Sequence, residues 1–374
     1  MFRIRIYLSF YNFLKSFFLS SSTNSQKKEI SRIILNQSKK KKLIFSSQCR
    51  IAFLYILKFL KKEKAKKNEI IFCAYNLPEM INVAKNLNYK VKFCDLNYES
   101  GFFDEKHLIS LINKKTKIIV LTNMFNDLKQ SIRLKKIAKK NKIVLIEDNA
   151  IYFDNFSFFK NKKKYSGSIG DYSIYSFNIM KNISGMYGGA LVTDNHRFIN
   201  YYENENKKNS PFLKLRYLKQ IIIFFILKFM SNIVLYKIFF IKIIKFSHLK
   251  QINFLLKLFY PSLNFKIIKF PKYYFTKISN LTIKMVYLQI KDFKQREINF
   301  KNRKIKNIYY YKNISKIKNK KLNLIKTSDF NYQNYLDFPI LINDKKKFNM
   351  FLLKRGIETK YIHYKNCESI FKKG

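Results

Sequence analysis

The feature that most constrains the fold is a regular alternation of short apolar runs with helical segments between residues 42 and 148. Four segments predict helices, at 49–60, 78–88, 105–113 and 130–140. Five runs rich in β-branched and aromatic residues predict strands: KLIFSS (42–47), EIIFCAY (69–75), KVKFCDL (90–96), KIIVLT (117–122) and KIVLIED (142–148). Continuous apolar strands separated by helices are typical of a parallel sheet that is covered on both faces. We therefore predict an α/β fold with a mostly parallel central sheet and helices on both faces.

The rest of the chain predicts an extension of this sheet and a second, smaller domain. Two more strands, DYSIYSF (171–177) and GGALVTD (188–194), follow with no room for a helix between them, so the sheet is expected to become mixed there. The C-terminal part has these predicted elements: a long basic amphipathic helix over 280–314, the strand YLDFPILI (335–342), the helix KKKFNMFLLKRG (345–356) and the strand IETKYIHY (357–364). We predict a large α/β domain over 1–272, with an apolar helical insertion at 212–260, and a small α+β domain over 273–374.

The composition is strongly basic, with a formal net charge of +52. Residues with A/T-rich codons are abundant together, whereas the chain has 8 glycines, 5 prolines and no tryptophan. A bias of the genome toward A and T bases therefore accounts for the many lysines and the high charge. The basic residues are also spread along the chain instead of forming one patch, so a nucleic-acid partner is not predicted. The four cysteines lack CxxC spacing, which indicates unpaired thiols in a reducing, cytoplasmic compartment and no metal site.

Two apolar stretches resemble membrane segments. The N-terminal 22 residues have early arginines like a signal peptide, but charges break the apolar run and no cleavage site is clear. Four lysines interrupt residues 220–246, so no uncharged run approaches the roughly 20 residues that span a bilayer. A buried helical hairpin is predicted there, with an interfacial membrane helix as the alternative.

Glycines are concentrated near one lysine. Gly185, Gly188 and Gly189, three of the 8 in the chain, follow Lys181 closely. This pattern predicts a partly enclosed lysine beside a thin stretch of backbone on which a planar group can lie. Desolvation lowers the pKa of a lysine and gives the free amine that Schiff-base chemistry needs, although a surface lysine is the simpler interpretation.

Polar residues at predicted strand ends supply the other parts of a possible site. Ser46 and Ser47 precede a helix directly, which suits a phosphate cradle or an ordinary helix cap. Asp148 closes a buried strand, where it could face a protonated ring nitrogen, a metal, an arginine or a turn. With Ser176 and Lys181, these residues supply what pyridoxal phosphate requires: a phosphate site, a carboxylate for the ring nitrogen, a hydroxyl and a lysine.

From about residue 29 to 365 the sequence resembles the DegT/DnrJ/EryC1/StrS family of sugar aminotransferases. These proteins use pyridoxal phosphate on the fold-type I aspartate-aminotransferase scaffold. The resemblance is densest in KIVLIEDNA and GSIGDYSIYSFNIMKNISGMYGGALVTDN, and looser in NLTIKMVYLQI and RGIETKYIHY.

The resemblance implies a role for individual residues. Asp148 would pair with the pyridinium nitrogen, Ser176 would contact the phosphate, and Lys181 would bond covalently to the cofactor. Ser47 and Gln48 would form the turn that binds the phosphate. The aromatic residue that packs over the cofactor ring would be Tyr75, unless its position falls on Leu77 and the aromatic ring is lost. His363 and Tyr364 would contact the substrate. Catalysis would rest on Lys181 and Asp148.

The resemblance also implies the reaction and its partners. Family members move an amino group, generally from glutamate, onto a nucleotide-linked keto-sugar for surface polysaccharide synthesis. They form homodimers, and the asparagine that reaches the partner's site would fall on Thr282 or Asn280. Members that dehydrate sugars have histidine in place of the lysine, so Lys181 favours transamination. The alternative is a non-catalytic relative that acts in binding or at a membrane surface.

Overall fold

A computed structural model describes residues 5–63, 67–250, 252, 254, 270–317, 321–360 and 364–371 of the chain. The strands in this part are β1 (Lys42–Ser46), β2 (Glu69–Cys73), β3 (Tyr75–Asn76), β4 (Lys90–Cys94), β5 (Thr116–Thr122), β6 (Val144–Asp148), β7 (Phe156–Phe159), β8 (Lys162–Tyr165), β9 (Tyr172–Ser176), β10 (Gly189–Thr193), β11 (Leu322–Asn323), β12 (Leu341–Ile342) and β13 (Lys365–Asn366).

The helices are numbered in the same way. They are α1 (Phe10–Phe18), α2 (Thr23–Ser38), α3 (Cys49–Glu63), α4 (Pro78–Asn86), α5 (Glu105–Leu111), α6 (Leu128–Lys140), α7 (His196–Lys207), α8 (Lys214–Met230), α9 (Ile233–Leu235), α10 (Ile241–Leu249), α11 (Asn280–Lys291), α12 (Phe293–Ile314), α13 (Lys345–Lys354) and α14 (Cys367–Phe371). A π-helical turn, Tyr236–Phe240, joins α9 to α10, and a 3-10 turn lies at Lys272–Tyr274.

Seven strands form the central sheet, in the order β1-β10-β9-β6-β5-β2-β4. Strand β10 is antiparallel to both of its neighbours, and the other neighbouring pairs are parallel. The prediction of a mostly parallel sheet that becomes mixed after residue 171 is therefore confirmed. Because two antiparallel pairings restore the direction of β1, the C-terminal ends of β1, β9, β6 and β2 lie along one edge.

Helices cover both faces of this sheet, as predicted. In β2, Ile70 and Phe72 pack into one core with α3 and α4, whereas Ile71 packs into a second core with α5 and α6. Successive side chains of a strand point to opposite faces, so the two cores lie on opposite sides of the sheet. A third core packs α2 and α11 against β10.

Several predicted elements differ from those observed. The chain between β6 and β9 forms the hairpin β7–β8, which the sequence analysis did not predict. The predicted helix over 280–314 is divided at Asp292, whose backbone leaves the helical region and whose carboxylate accepts the N–H of Gln295 at 2.9 Å. Strand is found only at the last two residues of 335–342. Of the strand predicted at 357–364, residues 357–360 and 364 are not in a strand, and β13 follows at Lys365–Asn366.

The apolar region around 220–246 is helical but is not a buried hairpin. Helices α8 and α10 each bury one side and leave large apolar residues of the other side in solvent. The domain boundary near residue 272 stays a prediction.

Candidate active site

The two acidic residues at the end of β6 point to opposite faces of the sheet. Glu147 is fully buried, and its carboxylate accepts hydrogen bonds from the backbone of Gly167, Ile169 and Gly170. It also accepts from the side chains of Asn123 and Ser173. Glu147 therefore organises the turn that leads into β9, and Asp148 is the carboxylate that faces the strand-end site.

The carboxylate of Asp148 has few donors of its own. The N–H of Ala150 donates to its Oδ1 at 2.9 Å, and the described residues provide no other hydrogen bond to the side chain. Burial raises the pKa of Asp148, although the Ala150 hydrogen bond and the nearby charge of Lys181 act in the opposite direction. With one hydrogen-bond donor among the described residues, this buried carboxylate can accept a further hydrogen bond from a cationic ligand.

Lys181 lies on the loop between β9 and β10, and its amine is close enough to Asp148 for their charges to interact. None of the described residues forms a hydrogen bond or ion pair with this amine. Burial lowers its pKa, and the attraction of Asp148 opposes that effect. The sequence analysis expected an enclosed lysine with a lowered pKa, and the structure places Lys181 in such a position.

The loop that carries Lys181 is held by helix α11. The Gln289 side chain accepts the N–H of Ser184 at 3.1 Å and donates to the carbonyl of Ser184 at 2.6 Å. The hydroxyl of Thr282 donates to the carbonyl of Gly185 at 3.1 Å, and Thr282 is fully buried. The family resemblance implied that Thr282 or Asn280 reaches a partner subunit, which stays a prediction. The Thr282 side chain holds the loop of its own chain.

The glycines near Lys181 have a packing role that the sequence did not indicate. A Cβ atom at Gly185 or at Gly188 would come 2.7 Å from Cγ2 of Thr282. A Cβ atom at Gly189 would come 2.6 Å from the backbone nitrogen of Cys49. The missing side chains therefore allow α11 and the first turn of α3 to pack closely on this loop and strand, and a role in making room for a flat ligand stays a prediction.

Ser47 lies where the sequence analysis placed the phosphate turn. Its hydroxyl is buried and has no hydrogen-bond partner in the part of the chain that the structure describes. Gln48 follows and forms an isolated bridge with Gly188, and α3 begins at the next residue, Cys49. The first amides of a 15-residue helix and a buried hydroxyl without a partner thus face the same end of β1.

Ser176 lies at the same level of the sheet as this turn. Both Ser46 and Ser176 pair with Gly189, which lies between them on β10, so their backbones are about 10 Å apart. Asp148 pairs with Ile174, two residues before Ser176. The Oγ of Ser176 accepts the N–H of Asn178 at 3.4 Å, a long contact that leaves its proton free to be donated.

Two predicted aromatic residues also meet at this edge. The rings of Tyr75 and Tyr364 have centroids 5.7 Å apart, and β3 pairs with β13 directly beside them. Burial raises the pKa of Tyr364, and the carboxylates of Asp148 and Asp337 add to this shift, so all three lie close together. Leu77 is the N-cap residue of α4. The predicted substrate contact His363 lies outside the described residues.

Other residues of the site were missed by the sequence analysis. The Cys49 thiol lies near Asp148 and Lys181, and burial followed by the charge of Asp148 raises its pKa. Lys360 forms an ion pair with Asp337 at 2.6 Å, close enough to Lys181 to affect its pKa. Only the apolar setting of Cys49 could have indicated it, and nothing in the sequence connects residue 337 to residue 181.

The residues present fit pyridoxal phosphate. Ser47 offers a buried hydroxyl without a partner among the described residues, beside a helix N-terminus, for the phosphate, and Asp148 has room to accept a hydrogen bond from a protonated ring nitrogen. Lys181 offers an amine that no described residue engages. Among the described residues, no group of three or more His, Cys, Asp or Glu side chains could hold a metal ion.

Residues 22–205 match the model of the DegT/DnrJ/EryC1/StrS aminotransferase family. A UDP-4-amino-4,6-dideoxy-N-acetyl-beta-L-altrosamine transaminase of Helicobacter pylori is 28% identical over 152 residues, which are 41% of this chain and 39% of that protein. A GDP-4-keto-6-deoxy-D-mannose 3-dehydratase of Escherichia coli O55:H7 is 28% identical over 149 residues, 40% of this chain and 37% of that protein. The chain thus matches about two-fifths of the length of these curated relatives.

The similarity of fold extends further than the similarity of sequence. The solved structure of Helicobacter pylori PseC, described as an aminotransferase involved in the biosynthesis of pseudoaminic acid, superposes with a TM-score of 0.66. That superposition covers 97% of this chain and 83% of PseC at 17% identity, which shows a shared fold. Residues 22–205, just under half of the chain, are therefore similar in sequence to the DegT/DnrJ/EryC1/StrS aminotransferase family.

Proposed function

We propose that this protein is a pyridoxal-phosphate-dependent aminotransferase that acts on a nucleotide-linked keto-sugar. The observation that carries the proposal is that three polar groups with few or no hydrogen-bond partners lie at one edge of the sheet. These are the free amine of Lys181, the under-donated carboxylate of Asp148 and the unpaired hydroxyl of Ser47. A buried polar group without enough hydrogen-bond partners destabilises a folded protein, and one bound cofactor would supply partners for all three.

When bound, pyridoxal phosphate supplies an electron sink that stabilises negative charge on a substrate carbon. The Lys181 amine would hold the cofactor, and the carboxylate of Asp148 would accept a hydrogen bond from the protonated ring nitrogen and so keep that nitrogen protonated. The hydroxyls of Ser47 and Ser176, together with the first amides of α3, would bind the phosphate. Tyr75 would pack beside the ring.

Lys181 would also move the proton during the reaction. Burial lowers the pKa of its amine, so a larger fraction of it is unprotonated near neutral pH than of an exposed lysine. The Lys181 amine, when not bonded to the cofactor, would take a proton from the substrate carbon and return it. Tyr364 and Lys360 border this position, so they are candidates for substrate contact.

The substrate and setting rest on the relatives and on the thiols. The names of matched relatives refer to 4-amino or 4-keto sugars on UDP or GDP, so we propose that the acceptor is such a sugar, destined for cell-surface polysaccharide, with glutamate as the amino donor. Lys181 favours transamination over dehydration. The four cysteines are free and three of them are buried, which suits the cytoplasm. We also propose a homodimer.

The decisive test is cofactor attachment. Purified wild-type protein with pyridoxal phosphate is expected to gain the visible absorbance of lysine-bound cofactor, and borohydride reduction should leave the adduct on the peptide that contains Lys181. Lys181→Ala should lose both the adduct and the turnover of UDP- and GDP-linked 4-keto-6-deoxy sugars with glutamate. Lys160→Ala, at an exposed lysine, serves as the matched control. Wild-type protein that forms no adduct would instead favour the non-catalytic relative.

A further inference from the structure

Helices α1, α8 and α10 carry large apolar side chains on their solvent sides. On α8 these residues recur at helical spacing, and each has 42–78% of its surface exposed: Leu215, Leu218, Ile222, Phe225 and Phe229. The corresponding residues of α1 are Phe10, Tyr11, Leu14, Phe17 and Phe18, and those of the π-helical turn and α10 are Phe239, Ile243, Phe246 and Leu249. We call these fourteen residues the apolar face. Soluble monomers rarely expose so many clustered apolar side chains without a function.

The apolar face is continuous and firmly supported. Phe10 of α1 and Phe225 of α8 are both exposed, and their ring centroids are 5.7 Å apart. Phe229 joins α8 to the π-helical turn through an edge contact with Phe240 at 5.8 Å. The other side of α8 is fixed in a core through Tyr217 and Phe224. The exposed residues therefore cannot turn inward without dismantling that core.

The charges around the apolar face are of one sign. Residues 212–250 contain eight lysines and arginines and no aspartate or glutamate, and residues 5–28 contain four cations and no acid. A second copy that docked face to face would bring these cations together without any carboxylate to offset them, which is unfavourable at contact distance. A nucleic acid would match the charge but has no broad apolar surface that could cover these aliphatic and aromatic side chains. The surface that matches both properties is a bilayer that contains anionic lipids.

The helices are suited to lying in that surface. Among the described residues, no single helix is long and apolar enough to cross a membrane. Lys214–Met230 and Ile233–Leu249 pass the length and hydropathy criteria only as a pair, and the pair bends by 75°. We propose that the apolar face docks in the headgroup region of anionic bilayers, with its aromatic and aliphatic side chains inserted and the surrounding lysines on the phosphates. This proposal does not depend on the proposed enzymatic activity.

Vesicle flotation of the full-length protein tests the proposal. The probes are vesicles of phosphatidylcholine alone and vesicles with about a third phosphatidylglycerol. The stripe variant, Leu218→Gln/Ile222→Gln, replaces two residues of the apolar face that are each 53% exposed, without disturbing the buried side of α8. Ile298→Gln/Ile305→Gln is the matched control, because those residues are 42% and 63% exposed on another helix, α12.

We expect wild-type protein and the control to float with the anionic vesicles, less strongly as salt rises. The stripe variant should bind about tenfold more weakly, because two half-exposed apolar side chains no longer leave water. Equal flotation of the stripe variant and wild type, or no binding of wild type to anionic vesicles, would overturn the proposal. So would a stripe variant that loses a dimer seen by light scattering while no form of the protein binds vesicles, because the face would then join two copies.

Discussion

Replacing Gly189 by alanine should disturb the cofactor site through the backbone alone. A Cβ atom at this position would lie 2.6 Å from the nitrogen of Cys49 and 2.8 Å from the carbonyl oxygen of Tyr175. Both contacts are with backbone, which cannot rotate away as the end of a side chain can. Gly189 also pairs with Ser46 on one side and Ser176 on the other, so β10 cannot slide without breaking both ladders.

The expected size follows from these contacts. An ordinary contact begins near 3.4 Å, so the first turn of α3 must move by about 0.8 Å to accept the methyl group. Overpacking of this kind costs typically 1–3 kcal/mol, and we expect about 3 kcal/mol here because two backbone segments resist the shift. The displaced turn carries Ser47 and the helix amides, so affinity for pyridoxal phosphate should fall at least about tenfold.

Two measurements check this prediction: guanidinium denaturation of cofactor-free protein, and titration with pyridoxal phosphate followed by absorbance. Gly356→Ala is the control, because Gly356 has φ +81° but nothing lies within 4 Å of the position that a methyl group would take. It should cost about 1 kcal/mol from conformation alone and leave cofactor affinity unchanged. The reasoning is refuted if Gly189→Ala matches wild type in both stability and affinity.

Two further changes should act on the site in distinct ways. Ser47→Ala removes a buried hydroxyl that lacks a partner, so cofactor-free protein should be as stable as wild type or more stable by about 1 kcal/mol, whereas stabilisation by pyridoxal phosphate should shrink. Thermal unfolding with and without cofactor measures both, and an unchanged cofactor effect would contradict the role of Ser47. Lys181→Met should alter the pH dependence of cofactor-free stability. In the folded protein the pKa of Lys181 is lower than 10.5, its ordinary value, which the unfolded chain keeps. At a pH between the folded and the unfolded pKa the unfolded chain binds more protons, so wild-type stability rises with pH in that range. The variant should lack that rise in denaturation midpoints measured between pH 7 and 10.5, and an equal slope in both proteins would contradict it.

The central sheet could be predicted because its inner strands are buried on both faces. Such strands contain continuous apolar runs, as in Ile70, Ile71 and Phe72 of β2, and helical segments separate most of them along the chain. Elements outside the sheet were predicted less well. The short strands β11, β12 and β13 depend on pairing with distant partners, and the break in the helix at Asp292 depends on a single cap.

The site was predictable in kind but not in arrangement. Sequence pattern and family resemblance selected Lys181, Asp148 and Ser47, and the structure brings them to one edge; their roles remain proposals. The sequence could not separate Glu147 from Asp148 by chemistry, because both are carboxylates at the same strand end. The alternation of side chains along β6 assigns Glu147 to five donors, three of them in the turn before β9, and leaves Asp148 facing the site.

The sequence by itself determined the alternating α/β plan, because burial on two faces leaves a local pattern of apolar residues that needs no knowledge of distant contacts. The tertiary structure alone decided why the glycines near Lys181 are required and what borders the site. Gly185 and Gly188 meet Thr282, and Lys360 and Asp337 approach Lys181, across about 100 residues or more of chain. Such contacts arise from packing between elements far apart in sequence, and no local pattern encodes them.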